Sequence, residues 1–275
     1  MGLGTRHLIY GAILVMTGLT GCTPSQPFVT PERLDRGLVL VLTGIEGRSR
    51  INNDICWGLA DAGVHSAIEL VDWTIPGAYL INLRDEERNR HKAEGVASRI
   101  SRYQMSHPGQ PVILIGHSGG GAMAVWTAEA MPPDSSIDGI ILLSASLSPG
   151  YLLDISLRNS RRGIVSFFSG EDWFFLGAGT TTLGTMDGKH TSSAGMVGFD
   201  VPARPGDEGL YAKVFQIAWQ KRMSGTGHTG GHPTSGARRF VATYVAPLVL
   251  AKKWDQAAVE AVLSEKKAAT KPSEK

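Results

Sequence analysis

The sequence has few cysteines, little excess charge and no long apolar run in its main part, and each shortage excludes a class of protein. Two cysteines in 275 residues are too few for a disulfide-held scaffold. The formal net charge of +2 at pH 7 lacks the basic excess typical of nucleic-acid-binding proteins, so we expect no nucleic-acid partner. No apolar run of about 18 residues follows the N-terminal segment, which excludes a polytopic membrane protein.

The N-terminal segment has the pattern of an export signal. A short basic region, Arg6-His7, precedes an apolar stretch at positions 8–19, which is too short to span a bilayer comfortably. The stretch ends in Leu19-Thr20-Gly21-Cys22, which resembles the bacterial lipobox, whose cysteine becomes the lipid-modified first residue of the mature chain. This resemblance implies a signal peptide over 1–21 and a palmitate-bearing Cys22 that anchors the protein in the bacterial cell envelope, on the periplasmic or extracellular face. A plain signal peptide with a chance cysteine is the alternative.

The remaining chain divides into a tether, one domain and a tail. Residues 22–36 contain three prolines among polar residues and are predicted to link the lipid to the fold. Residues 37–250 are predicted to form the domain. Residues 251–275 are expected to add a C-terminal helix and a charged tail.

Short apolar runs alternate with segments of helical periodicity throughout the domain. The runs 38–42, 67–71, 112–115, 140–143 and 164–168 are mostly apolar at successive positions, a pattern typical of strands buried on both faces of a parallel sheet. The run 213–219 alternates and is predicted to be the last strand. Helices are predicted at 50–62, 91–103, 120–131 and 240–250. The order predicts an α/β fold, a mostly parallel central sheet flanked by helices.

Gly116-His117-Ser118-Gly119-Gly120 matches the G-x-S-x-G motif between a predicted strand and a predicted helix. The strand–turn–helix context gives the match its weight, because such a turn exposes the serine Oγ and requires small neighbours where the backbones crowd. Here the chain resembles the α/β-hydrolase superfamily over about residues 37–250. The connection of about 20 residues between Ser144 and Ile164 leaves no room for a large cap domain.

The resemblance implies further site residues in the order serine, acid, histidine. Thr43-Gly44-Ile45 follows the first strand, where many relatives have His-Gly-x, so Thr43 departs from the usual histidine. The Ile45 and Gly119 N–H groups are the implied oxyanion donors. The acid is expected after the strand 164–168, where we favour Asp172 over its competitors Glu171 and Asp187.

The base is expected in the glycine-rich loop 225–232, which holds both His228 and His232. His228 fits a Gly-His dipeptide common in the superfamily. His232 is followed by Pro233 and the predicted start of the last helix, and it is the matching histidine in a resemblance to exported α/β-hydrolase-like bacterial proteins. We therefore favour His232 and leave His228 open. The glycines and Pro233 oppose a helical zinc pair, so no metal is expected.

The sequence therefore predicts a membrane-anchored serine hydrolase that cleaves an acyl bond, most simply a carboxylic ester, through Ser118, Asp172 and His232. Its expected partners are a small-molecule or lipid-like ester and the membrane. No organic cofactor is expected, and the chain is expected to be a monomer. Two alternatives stay open. One is an amide or thioester hydrolase with the same triad, and the other is a binding or scaffold lipoprotein that has the fold without the chemistry.

Overall fold

The protein is described by a computed structural model over residues 26–172, 184–202 and 208–264. Cys22, the signal segment and the charged tail lie outside these ranges. Six parallel strands form one sheet in the order β2-β1-β3-β4-β5-β6. The strands are β1 (Leu38–Leu42), β2 (Ala67–Val71), β3 (Val112–His117), β4 (Gly139–Leu143), β5 (Ile164–Phe168) and β6 (Val214–Ala218).

Helices cover both faces of the sheet, as the apolar strands require. The described helices are α1 (Pro31–Leu34), α2 (Arg50–Asp61), α3 (Tyr79–Arg84), α4 (Glu86–Ser106), α5 (Gly119–Glu129), α6 (Asp154–Arg158), α7 (Ala194–Val197), α8 (Glu208–Tyr211), α9 (Arg238–Phe240), α10 (Ala246–Leu250) and α11 (Gln256–Ser264). Alternate residues of β1 enter two apolar cores. Leu38, Leu40 and Leu42 pack on the side of α4 and α5, and Val39 and Val41 pack on the side of α2 and α10. The predicted fold class is confirmed.

The connection from Ser144 to Ile164, which is described throughout, holds α6 and no cap domain. The longer segment that follows Asp172 is described only in part. Within the described ranges, no helix combines the length and the apolar character that a membrane crossing needs.

The helix predicted at 240–250 is interrupted. Residues Val241–Val245 form one turn of π-helix between α9 and α10. Pro247, in the first turn of α10, has no N–H to bond the carbonyl four residues earlier. The wider turn accommodates that missing bond.

The described part of the predicted tether, which starts at Gln26, packs against the domain. The Gln26 side chain accepts a hydrogen bond from Leu70 N (2.9 Å) and donates one to Leu70 O (3.4 Å). Ile68 N donates to Phe28 O (3.1 Å). These residues therefore run antiparallel to β2 and satisfy backbone groups of an edge strand that would otherwise be open to pairing.

The sheet order reverses between β1 and β3. The chain leaves β1 to form β2 on one side and returns to form β3 on the other. In open α/β sheets, ligands bind beyond the carboxyl ends of the strands at such a reversal. The loops that follow β1 and β3 are therefore where a site is expected.

Two glycines allow β1, β3 and α5 to meet at this point. A Cβ atom on Gly120 would lie 2.2 Å from the Leu42 carbonyl oxygen, and one on Gly116 would lie 2.2 Å from the Gly120 carbonyl oxygen. Backbone atoms cannot move aside as a flexible side chain can. The position of α5 against the strands therefore depends on the absence of side chains at both residues.

We expect Gly120→Ala to lower the free energy of unfolding by at least about 3 kcal/mol, because the added methyl group overlaps backbone. Urea unfolding measures the change. Gly95→Ala is the matched control, because Gly95 is exposed within α4 and its Cβ would meet no atom within 4 Å. That variant should gain up to about 1 kcal/mol from helix propensity. Equal stability of the two variants would contradict the crowding argument.

Candidate active site

Ser118 occupies the sharp turn between β3 and α5. Its backbone has φ 56° and ψ −122°, a conformation that non-glycine residues rarely adopt. Hydrogen bonds on both sides hold it there. Ser118 N donates to Leu143 O (3.0 Å), and Ser118 O accepts from Gly121 N (2.9 Å) and Ser146 N (3.0 Å). The G-x-S-x-G motif therefore lies in the strand–turn–helix context that it needs.

The two N–H groups expected to face an oxyanion lie beside each other. A Cβ atom on Gly119 would be 3.4 Å from Ile45 N, so the backbones of these residues are in contact range. Gly119 begins α5, where first-turn N–H groups have no partner within the helix. In the described part of the chain, Ile45 N donates to no backbone carbonyl. Both N–H groups are thus available to a ligand, and the helix N-terminus favours negative charge.

Buried polar side chains fix the loop that carries Ile45. Asn82, which is buried, donates from Nδ2 to Ile45 O (3.0 Å), and Trp73 Nε1 donates to Thr43 O (2.7 Å). At the far end of the loop, Asn52 Nδ2 donates to Glu46 Oε1 and Gly47 O, both at 3.0 Å. The loop is therefore held from two sides by contacts outside its own backbone.

Sequence reasoning missed these supporting residues. Asn82 lies 37 positions from its partner Ile45, and nothing in the local pattern connects the two. An asparagine on the apolar side of a predicted helix is a signal that could have identified Asn52, since buried amides need partners. The sequence predicts no helix around Asn82.

The structure brings Asp172 and His232 together. His232 Nδ1 and Asp172 Oδ2 are 2.8 Å apart, and Asp172 is 1% exposed. Asp172 follows β5 at its carboxyl end, and its N–H donates to Ser169 O (3.1 Å). His232 begins a short 3₁₀ turn, His232–Gly236. The contact fixes the ring orientation and stabilises a positive charge on the imidazole.

The competing residues face other partners. His228 Nδ1 lies 3.0 Å from Thr234 Oγ1. Asp187 accepts from Ser148 N (2.9 Å) and from the Ser148 and Thr185 hydroxyls. Glu171 is exposed. In the described ranges, no group of three or more histidine, cysteine, aspartate or glutamate residues could hold a metal ion.

His117, which precedes the serine, contacts the same histidine. Its Nε2 donates to His232 O (3.3 Å), and the two rings are 5.0 Å apart. Donation to a carbonyl assigns the proton to Nε2. Sequence reasoning missed this contact, because the motif places no requirement on the residue before the serine. The contact connects the serine turn directly to the histidine loop.

Together, the parallel sheet, its order and the strained serine turn define an α/β-hydrolase fold. No protein-family model and no curated protein matches the chain. Similar solved structures include lipase B of Aspergillus fumigatus (14% identity, 82% of this chain and 56% of that one, TM-score 0.49). A dienelactone hydrolase from Anabaena variabilis is also similar (15% identity, 76% of this chain and 83% of that one, TM-score 0.43). So is an esterase domain of a Rhodothermus marinus protein (12% identity, 80% of this chain and 88% of that one, TM-score 0.43). The chain thus spans little more than half of the lipase.

We expect stability to fall in mild acid. Burial lowers the pKa of His228 to about 4, and burial with the nearby His232 lowers the pKa of His117 to about 3. In the unfolded chain both rings protonate near pH 6.5. Below pH 6.5 the unfolded state therefore binds more protons than the folded state. The free energy of unfolding has its full value above pH 6.5. It decreases as the pH falls from there towards 4, by up to about 1.4 kcal/mol per pH unit for each ring.

Urea unfolding at pH 7, 6 and 5 measures this dependence. His228→Gln should have a shallower slope than the wild type, because one of the two buried rings is gone. His65→Gln, at an exposed position, controls for the loss of an imidazole elsewhere. An unchanged slope in His228→Gln would contradict the assignment to this ring.

Proposed function

We propose that the chain is a serine hydrolase that cleaves a carboxylic ester with Ser118 as nucleophile, His232 as base and Asp172 as the orienting acid. The observation that carries the proposal is the 2.8 Å contact between His232 Nδ1 and Asp172 Oδ2. The His232 carbonyl also accepts a hydrogen bond from His117, the residue before Ser118. A nucleophile, a base and an orienting carboxylate in this relation are the recurring set for acyl transfer.

In the proposed first step, Ser118 Oγ attacks the acyl carbonyl carbon. His232 Nε2 takes the hydroxyl proton, while Nδ1–H stays bonded to the Asp172 carboxylate. The carbonyl π bond opens and leaves a negative oxygen, which accepts hydrogen bonds from Ile45 N–H and Gly119 N–H. Losing one such donor typically costs about 3–4 kcal/mol of transition-state stabilisation.

In the following steps the carbonyl re-forms and the ester C–O bond breaks. His232 returns its proton to the leaving alcohol, and an acyl group remains on Ser118 Oγ. Water then attacks the acyl carbon with His232 again as base. The carboxylic acid departs, and the serine hydroxyl is restored.

We further propose that Cys22 carries a lipid, which places the hydrolase on a membrane of a bacterial cell envelope. The support is the sequence Leu19-Thr20-Gly21-Cys22 after a short apolar stretch. Gln26, only four positions later, bonds Leu70 of the sheet. An esterase held this close to a bilayer would have direct access to lipid-like substrates.

Ser118→Ala should abolish both ester hydrolysis and covalent labelling by a fluorophosphonate probe. Removing the nucleophile of such a triad costs on the order of 10⁶ in kcat, whereas unfolding free energy should change by no more than about 2 kcal/mol. The measurement is probe labelling followed by turnover of a panel of esters, amides and thioesters. A stable wild type that neither labels nor turns over any substrate would favour the scaffold alternative.

The histidine pair provides the matched control within the same loop. His232→Ala should reduce turnover about as severely as Ser118→Ala, because members of a triad act as a unit. His228→Ala should cost at most about tenfold, because its ring bonds Thr234 and only shapes the loop. The opposite ranking would assign the base to His228.

Expression of the full chain in a bacterium should give a membrane-bound protein that incorporates labelled palmitate. Cys22→Ser should lose the label, because the thiol that accepts the lipid is gone. Cys56→Ser is the control, since Cys56 is buried in the fold. A soluble, unlabelled wild type would contradict the anchor.

A further inference from the structure

We propose that an exposed apolar patch beside the candidate active site rests on the bilayer that holds the Cys22 lipid. The patch consists of Ile75, Tyr79, Leu80 and Ile81 and is called the α3 patch. The proposal depends on the lipid anchor described above and adds to it the face of the domain that meets the membrane. The exposure of the patch, the position of the anchor and the direction of the N-terminal segment support the proposal.

The first feature is the exposure of the patch. Ile75 is 41% exposed, Tyr79 53%, Leu80 55% and Ile81 48%. Four large apolar side chains are thus exposed to water within the seven residues from Ile75 to Ile81, and a concentration of exposed apolar surface usually marks an interaction site. A tyrosine among aliphatic residues suits the boundary of a bilayer, because its ring enters the apolar layer while its hydroxyl stays hydrated.

The second feature is the position of the anchor. Gln26 is bonded to Leu70 near the carboxyl end of β2, and Cys22 precedes it by four residues. An extended chain spans at most about 3.6 Å per residue, so Cys22 lies within about 14 Å of Gln26. The same rule places Ile75 within about 18 Å of Leu70, because five residues separate them. Short connections therefore tie both the lipid and the α3 patch to the carboxyl end of β2.

The third feature is the direction of the N-terminal segment. Gln26 pairs with Leu70 and Phe28 pairs with Ile68, so the segment runs antiparallel to β2. Its N-terminal end therefore points towards the carboxyl ends of the strands. The α3 patch and the loop that carries Ile45 lie at these same ends.

The patch is also fixed to the candidate site. Asn82 in α3 donates to Ile45 O (3.0 Å) and Ile75 O (3.0 Å), and accepts from Ile75 N (2.9 Å). One buried amide thus connects the α3 patch with the proposed oxyanion loop. A bilayer in contact with the patch would therefore lie next to the proposed oxyanion loop, and the nearby Cys22 lipid is the reason to assign a lipid surface to the patch.

The experiment uses the full chain, lipidated in a bacterium and reconstituted in phosphatidylcholine vesicles. Leu80→Cys carries an environment-sensitive fluorophore, and nitroxide-bearing lipids are added as quenchers. Met105→Cys is the matched control, because Met105 is 75% exposed near the C-terminal end of α4. Ile155→Cys in α6, which is 55% exposed, is a second. Cys56 should not react, because burial raises the pKa of its thiol to about 12.

We expect the Leu80 label to shift its emission to the blue and to lose at least about half of its intensity to the lipid-borne quencher, as for a residue in the bilayer boundary. The two control labels should remain as in water. Equal quenching at all three positions, or none at Leu80 while mass spectrometry finds lipid on Cys22, would overturn the proposal. If Cys22 bears no lipid, the anchor itself is wrong and the proposal falls with it. Hydrolysis of a soluble ester reports separately on the proposed chemistry.

Discussion

The close approach of three backbones at the carboxyl ends of β1 and β3 is the constraint on which the candidate site depends. Only glycine fits at Gly116 and Gly120, because carbonyl oxygens occupy the space of a Cβ atom. The tight packing forces Ser118 into its φ 56° conformation and aims the start of α5 at the same point. The proposed nucleophile and the proposed amide donors therefore come from one packing arrangement, whose strain the surrounding hydrogen bonds offset.

Buried polar groups hold the loops around this point. Asn82 connects α3 with the Ile45 loop, and Asn52 closes the loop on α2. His117 connects the serine turn with His232. A buried amide or imidazole is costly without partners, so each such group favours one loop arrangement over others. Preorganised donors are what stabilisation of a developing charge requires.

The sequence sufficed for the strands because burial on both faces leaves runs that are mostly apolar, and the run is unbroken in β1 and over residues 140–143 of β4. It also sufficed for the serine turn, where steric need restricts the residue types. It failed where the cause is distant in the chain. The pairing of Gln26 with Leu70 spans 44 positions. The segment around Gln26 contains prolines and polar residues, which is the composition of a tether. The π-helical turn before Pro247 depends on the missing N–H of that proline. The apolar periodicity of the segment does not reveal this effect.

The choice between the two loop histidines illustrates the same limit, since spacing alone allows both. Packing separates them, because His228 is buried against Phe240 and bonded to Thr234, whereas His232 meets a carboxylate. The proposed reaction requires His232 to gain a positive charge. Its neighbour His117 is only 5.0 Å away, and a second cation there would oppose that charge. Because burial lowers the pKa of His117 to about 3, this ring stays neutral and can donate to the His232 carbonyl without repelling its imidazolium.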